Sequence, residues 1–212
     1  MNYYELGRKD LEVVENLNQT LGRKQRLLIH ACCAPCSTFP LEYLHNYFEI
    51  TLYYTNSNIY PESEYQIRLQ ELEAYVARIN EIEGYDVKLV VPEYDNVEYT
   101  KWLSPRKEQR EGQEACFACY KRRLEDTFKY AKEHDYEYAS TVMSISRQKN
   151  SQVLNQLGEA LEELYGIKFL HADFKKKGGQ DRRDFLSRDM YKQQYCGCVF
   201  SYMEYQERIK NV

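Results

Sequence analysis

Apolar positions along this chain follow two periods, and the switches between them set out an alternating strand and helix pattern. Residues 1–24 are mostly polar, with Leu11, Val14 and Leu17 spaced for one helical face, which predicts a peripheral helix. The run Leu27-Leu28-Ile29 predicts a buried first strand and empties into His30-Ala31-Cys32-Cys33-Ala34-Pro35-Cys36. Ser37 and Thr38 are good N-caps and Pro40 suits a first turn, so a helix should start there and bury Leu41, Leu44, Tyr47 and Phe48. Residues 50–54 predict strand two, closed by the polar turn 55–61. From Glu62, Tyr65, Leu69, Leu72, Val76 and Ile79 recur at helical spacing, and Gly84 stops the run.

Residues 87–91 predict strand three, ended by Pro92. Residues 93–113 are charged and irregular, hold the only tryptophan, Trp102, and suit either a lid over a site or a plain surface loop. A helix carrying Leu124, Phe128 and Ala131 follows Cys116-Phe117-Ala118-Cys119-Tyr120. Then come strand four over 138–142, a helix over roughly 148–165 and a short strand five over 167–170. A helix from about Asp184 precedes Tyr195-Cys196-Gly197-Cys198. Strands alternating with helices imply an α/β fold with an open parallel sheet and helices on both faces. No internal repeat or linker breaks the chain, so residues 25–212 are expected to form one α/β domain behind the helix of residues 1–24.

Composition narrows the function classes. With 43% hydrophobic and 29% charged residues in 212, large-scale disorder is excluded and a real core is affordable. The net charge of −4 makes no global case for nucleic-acid binding, so any such case rests on local patches. No stretch approaches the roughly 18 apolar residues of a membrane span and no apolar signal run opens the chain. Seven cysteines without a secretory signal point to a reducing, cytoplasmic setting and to metal or redox chemistry. Tyrosine is abundant, at 21 residues, and some should line amphipathic surfaces as well as core.

The cysteines fall into three groups: Cys32/Cys33/Cys36, Cys116/Cys119 and Cys196/Cys198. The first lies where an open α/β sheet usually places its ligand, and a helix N-terminus there favours thiolates. Buried cysteines can simply fill a core, but three within five residues on a strand–helix turn are poorly explained that way. Cys-x-x-Cys presents two sulfurs to one metal or cluster, so Cys116/Cys119 together with the first group suggests a four-thiolate site. Cys196 and Cys198 flank a single glycine, and a disulfide at that spacing is strained and labile. The pair therefore suggests a switchable dithiol, a second metal clamp or two unpaired thiols.

Basic residues gather in two places on this acidic chain. Lys175, Lys176 and Lys177 stand beside Gly178-Gly179, with Arg182, Arg183 and Arg188 close behind, and Lys121, Arg122 and Arg123 follow the second cysteine pair. Such runs can hold phosphates or can be solvated faces; their place beside cysteine pairs favours an RNA partner.

Together these pieces resemble the QueH-type epoxyqueuosine reductases over nearly the whole chain from about Leu27 to Tyr202. The resemblance is carried by His30 to Cys36, Asn56-Ser57-Asn58-Ile59-Tyr60-Pro61 with Tyr65, and Cys116 to Leu124. Thr141 to Ser146, Phe174 to Gly179 and Tyr191 to Cys198 complete it. It implies a HUP-like fold with a C-terminal metal- or redox-binding extension. The implied reaction is the cobalamin-independent removal of the epoxide oxygen of epoxyqueuosine at the tRNA wobble position.

On that pattern Cys32, Cys33, Cys116 and Cys119 match ligands of a 4Fe-4S cluster. Cys196 and Cys198 match a catalytic redox pair or the holder of an additional mononuclear iron; Cys36 is not part of that pattern, and its place beside the cluster suggests a spare ligand. The partners implied are tRNA carrying epoxyqueuosine and an external low-potential donor of ferredoxin or flavodoxin type, with no membrane. Residues 142–144 read Val-Met-Ser where threonine-leucine is expected, a conservative departure. Two other classes compete: a thioredoxin-like oxidoreductase built on Cys33-Ala34-Pro35-Cys36, and a zinc-stabilised RNA-binding protein using Cys33, Cys36, Cys116 and Cys119.

Overall fold

The computed structural model describes residues 1–107 and 112–210. Strands β1 (Gln25–His30), β2 (Phe48–Tyr53), β3 (Lys88–Val90), β4 (Tyr138–Thr141) and β5 (Lys168–Phe169) pair in the order β3-β2-β1-β4-β5. All four pairings are parallel, with Leu27 opposite both Ile50 and Tyr138. Strand β1 is central and alternates across the sheet: Leu27 and Ile29 enter one core, Leu28 the other. That explains its unbroken apolar run, since a parallel sheet covered on both faces has no wet side.

One core is completed by α1 (Tyr3–Leu21), α2 (Ala34–Leu44) and α3 (Glu62–Ile82), through residues such as Val14, Leu41, Leu72 and Val76. The other is completed by α5 (Glu114–Glu133) and α6 (Ser151–Tyr165), through Leu124, Phe128, Leu154 and Leu161. Shorter helices α4 (Asn96–Leu103), α7 (Gly179–Leu186) and α8 (Val199–Lys210) lie outside these layers in sequence order. Among the described residues no helix is long and apolar enough to cross a membrane.

Several expected boundaries move for identifiable reasons. Helix α2 starts at Ala34 and not at Ser37, because extended Cys33 (φ −173°, ψ 162°) is its N-cap and Ser37 already bonds back to the Cys33 carbonyl at 2.9 Å. The segment 93–113 is not wholly irregular. The Asp95 carboxylate accepts from the Glu98 amide at 3.0 Å and opens α4, which a short 3₁₀ turn, Ser104–Arg106, continues; residues 108–111 lie outside the described residues. Helix α7 begins at Gly179, five residues before the expected start, since a side chain there would overlap the Phe174 carbonyl. The last helix, α8, has a weak apolar stripe and was not anticipated.

In α1 the buried face runs Tyr3, Gly7, Leu11, Val14, whereas Leu17 is 37% exposed, so the stripe extends toward the N-terminus instead of away from it. Gly7 lets the helix lie directly on the chain at His171, and any Cβ there would overlap the His171 carbonyl oxygen. Gly7→Ala should therefore destabilise the fold by about 1–3 kcal/mol, read as a lower denaturation midpoint. A second tie is the imidazole of His171, 2.8 Å from Asp10 and 3.3 Å from Glu159. The Asp10 hydrogen bond raises the His171 pKa above its ordinary 6.5 despite partial burial. That contribution is complete below the unfolded value near 6.5 and is lost as pH rises through the folded value. The stability difference between wild type and Asp10→Asn should thus shrink on going from about pH 6 to pH 9 in parallel thermal melts.

Candidate active site

The sheet order reverses direction at β1, where chain connections leave toward both edges, so the crevice beyond the carboxyl ends of β1 and β4 is the topological switch point. Strand β1 delivers His30 and then Cys32, Cys33 and Cys36 into it. Their three sulfurs lie within 4.8 Å of one another, the only such close group of potential metal ligands found among the described residues. Sharing protons among three buried sulfurs differentiates them. Hydrogen bonds from Cys32 and Cys36 pull the Cys33 pKa well below the thiol range, against the cost of burial. Cys32, as a donor to Cys33, is pushed up to about 11, and Cys36 rises for the same reason. This turn therefore presents three sulfurs of unlike acidity, Cys33 the most acidic of them.

Helix α5 supplies Cys116 and Cys119 from its first two turns, three residues apart and so on one face. Tyr99 of α4 donates to the Cys119 sulfur at 3.3 Å, and the Gly112 amide donates to Cys116 at 3.2 Å. The segment 93–113 thus covers the second cysteine pair, with Leu103 and Tyr99 packed beside Ala115 and Cys119. Cys116, Cys119, Cys196 and Cys198 line one small cavity of about 30 Å³. Cys32, Cys36 and Cys196 line a neighbouring cleft of about 310 Å³. Cys196 is common to both cavities. All three cysteine groups therefore meet around one residue, while the tight trio is Cys32, Cys33 and Cys36.

The loop carrying Cys196 is held from several sides. Arg68, only 2% exposed, pairs with Glu64 at 2.8 Å and donates to the carbonyls of Cys196 at 3.0 Å and Tyr195 at 3.2 Å. The Tyr60 amide donates to the Gly197 carbonyl at 2.7 Å, and the Tyr195 hydroxyl donates to the Tyr60 carbonyl at 2.6 Å. Gln193 reaches the Cys33 sulfur at 3.5 Å. Gly197 sits at φ +134°, and a Cβ there would come within 3.2 Å of Arg68 and 3.3 Å of Ile59. Tyr195 in turn packs against Tyr202 and Tyr205 of α8, one place where the surplus of tyrosine is used.

Cations surround the sulfurs. Lys149, in the turn before α6, donates to the Cys196 sulfur at 2.7 Å. Burial alone would lower its pKa, but its contact with the Cys196 sulfur holds it above its ordinary value. Arg123 is buried beneath the same sulfurs, and Cys119, Tyr99, Cys196 and Cys32 keep it charged against the burial cost. His30 is the opposite case: burial and then Arg123 depress its pKa to about 3, so it is neutral. Cys198 is pushed up to about 11, first by burial. The cleft wall adds Arg147, Arg183 and Lys192 against a single carboxylate, Asp184.

The segment 27–204 matches the family model described as epoxyqueuosine reductase QueH. The chain belongs to the QueH family. It is 39% identical over 187 residues to a QueH epoxyqueuosine reductase from Staphylococcus epidermidis, covering 86% of this chain and 79% of the relative. The QueH proteins of Dehalococcoides mccartyi and Thermotoga maritima are 34% and 32% identical, with 84% and 86% of this chain aligned to 93% of each. The α/β fold with an open parallel sheet, expected from the sequence, is thus joined to its family.

Of the QueH residues expected at the site, Cys32, Cys33, Cys36, Cys116, Cys119, Cys196 and Cys198 line the two adjoining cavities or, for Cys33, stand directly behind them. The basic residues are scattered. Arg123 and Arg183 line the cleft. Arg122 stacks on Tyr99 and Trp102, and Arg182 is paired with Glu42. Lys175 is tied to Asp173 at 3.0 Å and to the Ser144 carbonyl, while Lys176 and Lys177 face a different cavity. Sequence reasoning missed Arg68, Arg147, Lys149 and Lys192. Only Arg68 left a signal, as a cation on the inward side of the α3 stripe. Gly197→Ala should disturb the loop and not the core: alkylation of Cys196 and Cys198 should accelerate several-fold by mass spectrometry, with a melting temperature within a few degrees of wild type.

Proposed function

We propose that this chain reduces epoxyqueuosine in the anticodon of tRNA to queuosine, in the cytoplasm, with electrons from an external low-potential donor of ferredoxin or flavodoxin type. The reading rests on family membership together with one observation, the convergence of all three cysteine groups on a cation-lined cleft at the switch point. Converting an epoxide to an alkene consumes two electrons and two protons and releases water. Thiols alone can deliver that only by forming disulfides, so an electron-transferring metal centre is the more economical source.

The residues fit such a centre. Soft thiolates are the ligands an iron–sulfur cluster takes, and the β1–α2 turn holds three sulfurs, with the Cys33 pKa drawn well below the thiol range. Several buried polar atoms beside them lack a protein partner: His30 Nε2, Asn56 Oδ1, Asn58 Oδ1 and Arg123 Nη2. Cys32, Cys33, Cys116 and Cys119 would hold a 4Fe-4S cluster, with Cys36 as an alternative ligand. When bound, that cluster supplies single electrons at low potential. Cys196 and Cys198 serve as a redox pair or hold an additional iron.

The protein groups have separate tasks. Buried Arg68 and Arg123 hold positive charge beside the sulfurs, which favours anionic states there. Lys149, at Cys196, carries a proton 2.7 Å from that sulfur and is the nearest charged donor to the cleft floor. Arg147, Arg183 and Lys192 on the cleft wall suit the phosphates flanking the modified base, where contacts position the strand without reading sequence.

The test is anaerobic purification followed by turnover on epoxyqueuosine-containing tRNA. Brown, iron- and sulfide-containing protein that forms queuosine is expected. Cys33→Ser and Cys119→Ser should lose iron and turnover, and Cys36→Ser should lose little iron. Cys196→Ser or Cys198→Ser should keep the cluster spectrum and stop turnover. Chelation of iron should abolish activity and reconstitution should restore it. Colourless, zinc-loaded protein that binds tRNA without converting it would establish the RNA-binding alternative instead.

A further inference from the structure

A second cavity, of about 190 Å³, lies between α1, α2 and the chain after β5. Its wall is aromatic: Phe39 stacks on Tyr43 with centroids 5.6 Å apart, and both meet the edge of Phe174 at 6.5 Å. Tyr4 closes the α1 side. Its rim carries Arg8, Lys176 and Lys177, all exposed, and none forms an ion pair with another described residue. Other cations of the same basic runs are held by acids, as Arg182 is by Glu42 and Lys175 by Asp173. Planar apolar walls with free cations at the mouth are complementary to a heteroaromatic base with an attached phosphate.

We infer that this cavity is a nucleotide subsite that takes an unpaired base of the tRNA substrate, with Arg8, Lys176 and Lys177 on its phosphate. The inference rests on the tRNA substrate proposed above. Placement supports it. Phe39 and Tyr43 follow Cys36 by three and seven residues on α2, about 4.5 and 10 Å of helical rise, on the same side of the helix. The segment linking β5 to α7 serves both places, with Lys175 reaching the Ser144 carbonyl and Lys176 and Lys177 turned to the aromatic cavity. A nucleotide one or two steps along the strand from the modified base would span that separation. One wall of the subsite, Tyr4, Gly7, Arg8 and Leu11, comes from α1, which precedes the matched segment 27–204.

The experiment measures binding of epoxyqueuosine tRNA to the full-length protein by fluorescence anisotropy across a salt series. Tyr43→Leu keeps bulk but removes the stacking face, and should weaken binding roughly ten-fold. Tyr43→Phe should bind as wild type. The double variant Arg8→Ala/Lys177→Ala should lower the log–log salt slope by about 1.4 to 1.8 units. In Tyr43→Leu and the double variant the loss should fall on KM for the tRNA, with iron and sulfide content as in wild type, because neither touches the sulfurs.

Wild-type affinity and slope in both Tyr43→Leu and the double variant, with melting curves unchanged, would overturn the subsite while leaving the proposed reaction intact. Failure of the wild type itself to bind or convert the tRNA would instead overturn the underlying reading. A free mononucleotide such as AMP that binds the wild type, loses affinity in Tyr43→Leu and leaves tRNA binding untouched would overturn the RNA assignment.

Discussion

Buried positive charge facing sulfur is the interaction on which this site depends. Arg68 and Arg123 are almost wholly excluded from solvent and Lys149 sits against Cys196, an arrangement that would be prohibitive without counter-charges. Glu64 balances Arg68 through one ion pair. Arg123 donates to the Cys119 carbonyl at 3.4 Å and Lys149 to the Cys196 sulfur at 2.7 Å, so a peptide oxygen and a sulfur stand where carboxylates would otherwise be required. The cysteines and the cations are therefore mutually dependent. Remove the Cys196 sulfur and Lys149 loses its acceptor; remove Arg68 and one of the groups that lower the Cys33 pKa is gone. Replacement of a site cysteine by serine thus perturbs stability as well as chemistry, unlike substitution of an ordinary small core residue.

The same charges explain where the fold departs from full hydrogen bonding. Partnerless buried polar atoms are rare in folded proteins. Here His30 Nε2, Asn56 Oδ1, Asn58 Oδ1 and Arg123 Nη2 all belong to residues at the carboxyl ends of β1 and β2 or facing the cysteines. Elsewhere the polar groups that end strands are well used. Asn155, for example, donates to the Ala172 carbonyl and accepts from its amide. The switch point is not the sole place with such atoms, Gln25 Nε2 and Gln180 Oε1 being others, but it gathers four of them around one site.

What the sequence made legible follows the same division. The layers were readable because β1, α3 and α6 each bury a face at the spacing their backbone imposes, as with Tyr65, Leu72, Val76 and Ile79. The cysteine groups were readable because their spacing is local. Their convergence on Cys196 was not, since it depends on strand order and on Arg68 reaching across 128 residues to the Cys196 carbonyl. Helix α4 was hidden among charges because one cap, Asp95, and two apolar contacts, Tyr99 and Leu103, suffice to hold eight residues. Helix α8 was hidden because its partners are other tyrosines and not a core stripe. The basic run 175–177 shows the limit of reading charge from sequence: adjacent lysines turn to different surfaces, one paired with Asp173 and two free.

The C-terminal cysteine loop shows how the molecule reconciles rigidity with reactivity. Cys196, Gly197 and Cys198 are fixed through backbone groups, by Arg68 and Tyr60 on the carbonyls and by Ser201 on the Gly197 amide at 3.2 Å. Such anchoring leaves the sulfur of Cys196 free of any covalent or packing duty, so its position is set while its chemistry is open. Gly197 is indispensable to this arrangement, because its φ of +134° turns the chain so that the carbonyls on either side can both be gripped. A side chain at that position would press on Arg68, which must give by a few tenths of an ångström, and Arg68 is one of the groups that lower the Cys33 pKa. One glycine thereby couples the C-terminal loop to the cysteines of the β1–α2 turn, although 161 residues of chain separate Gly197 from Cys36.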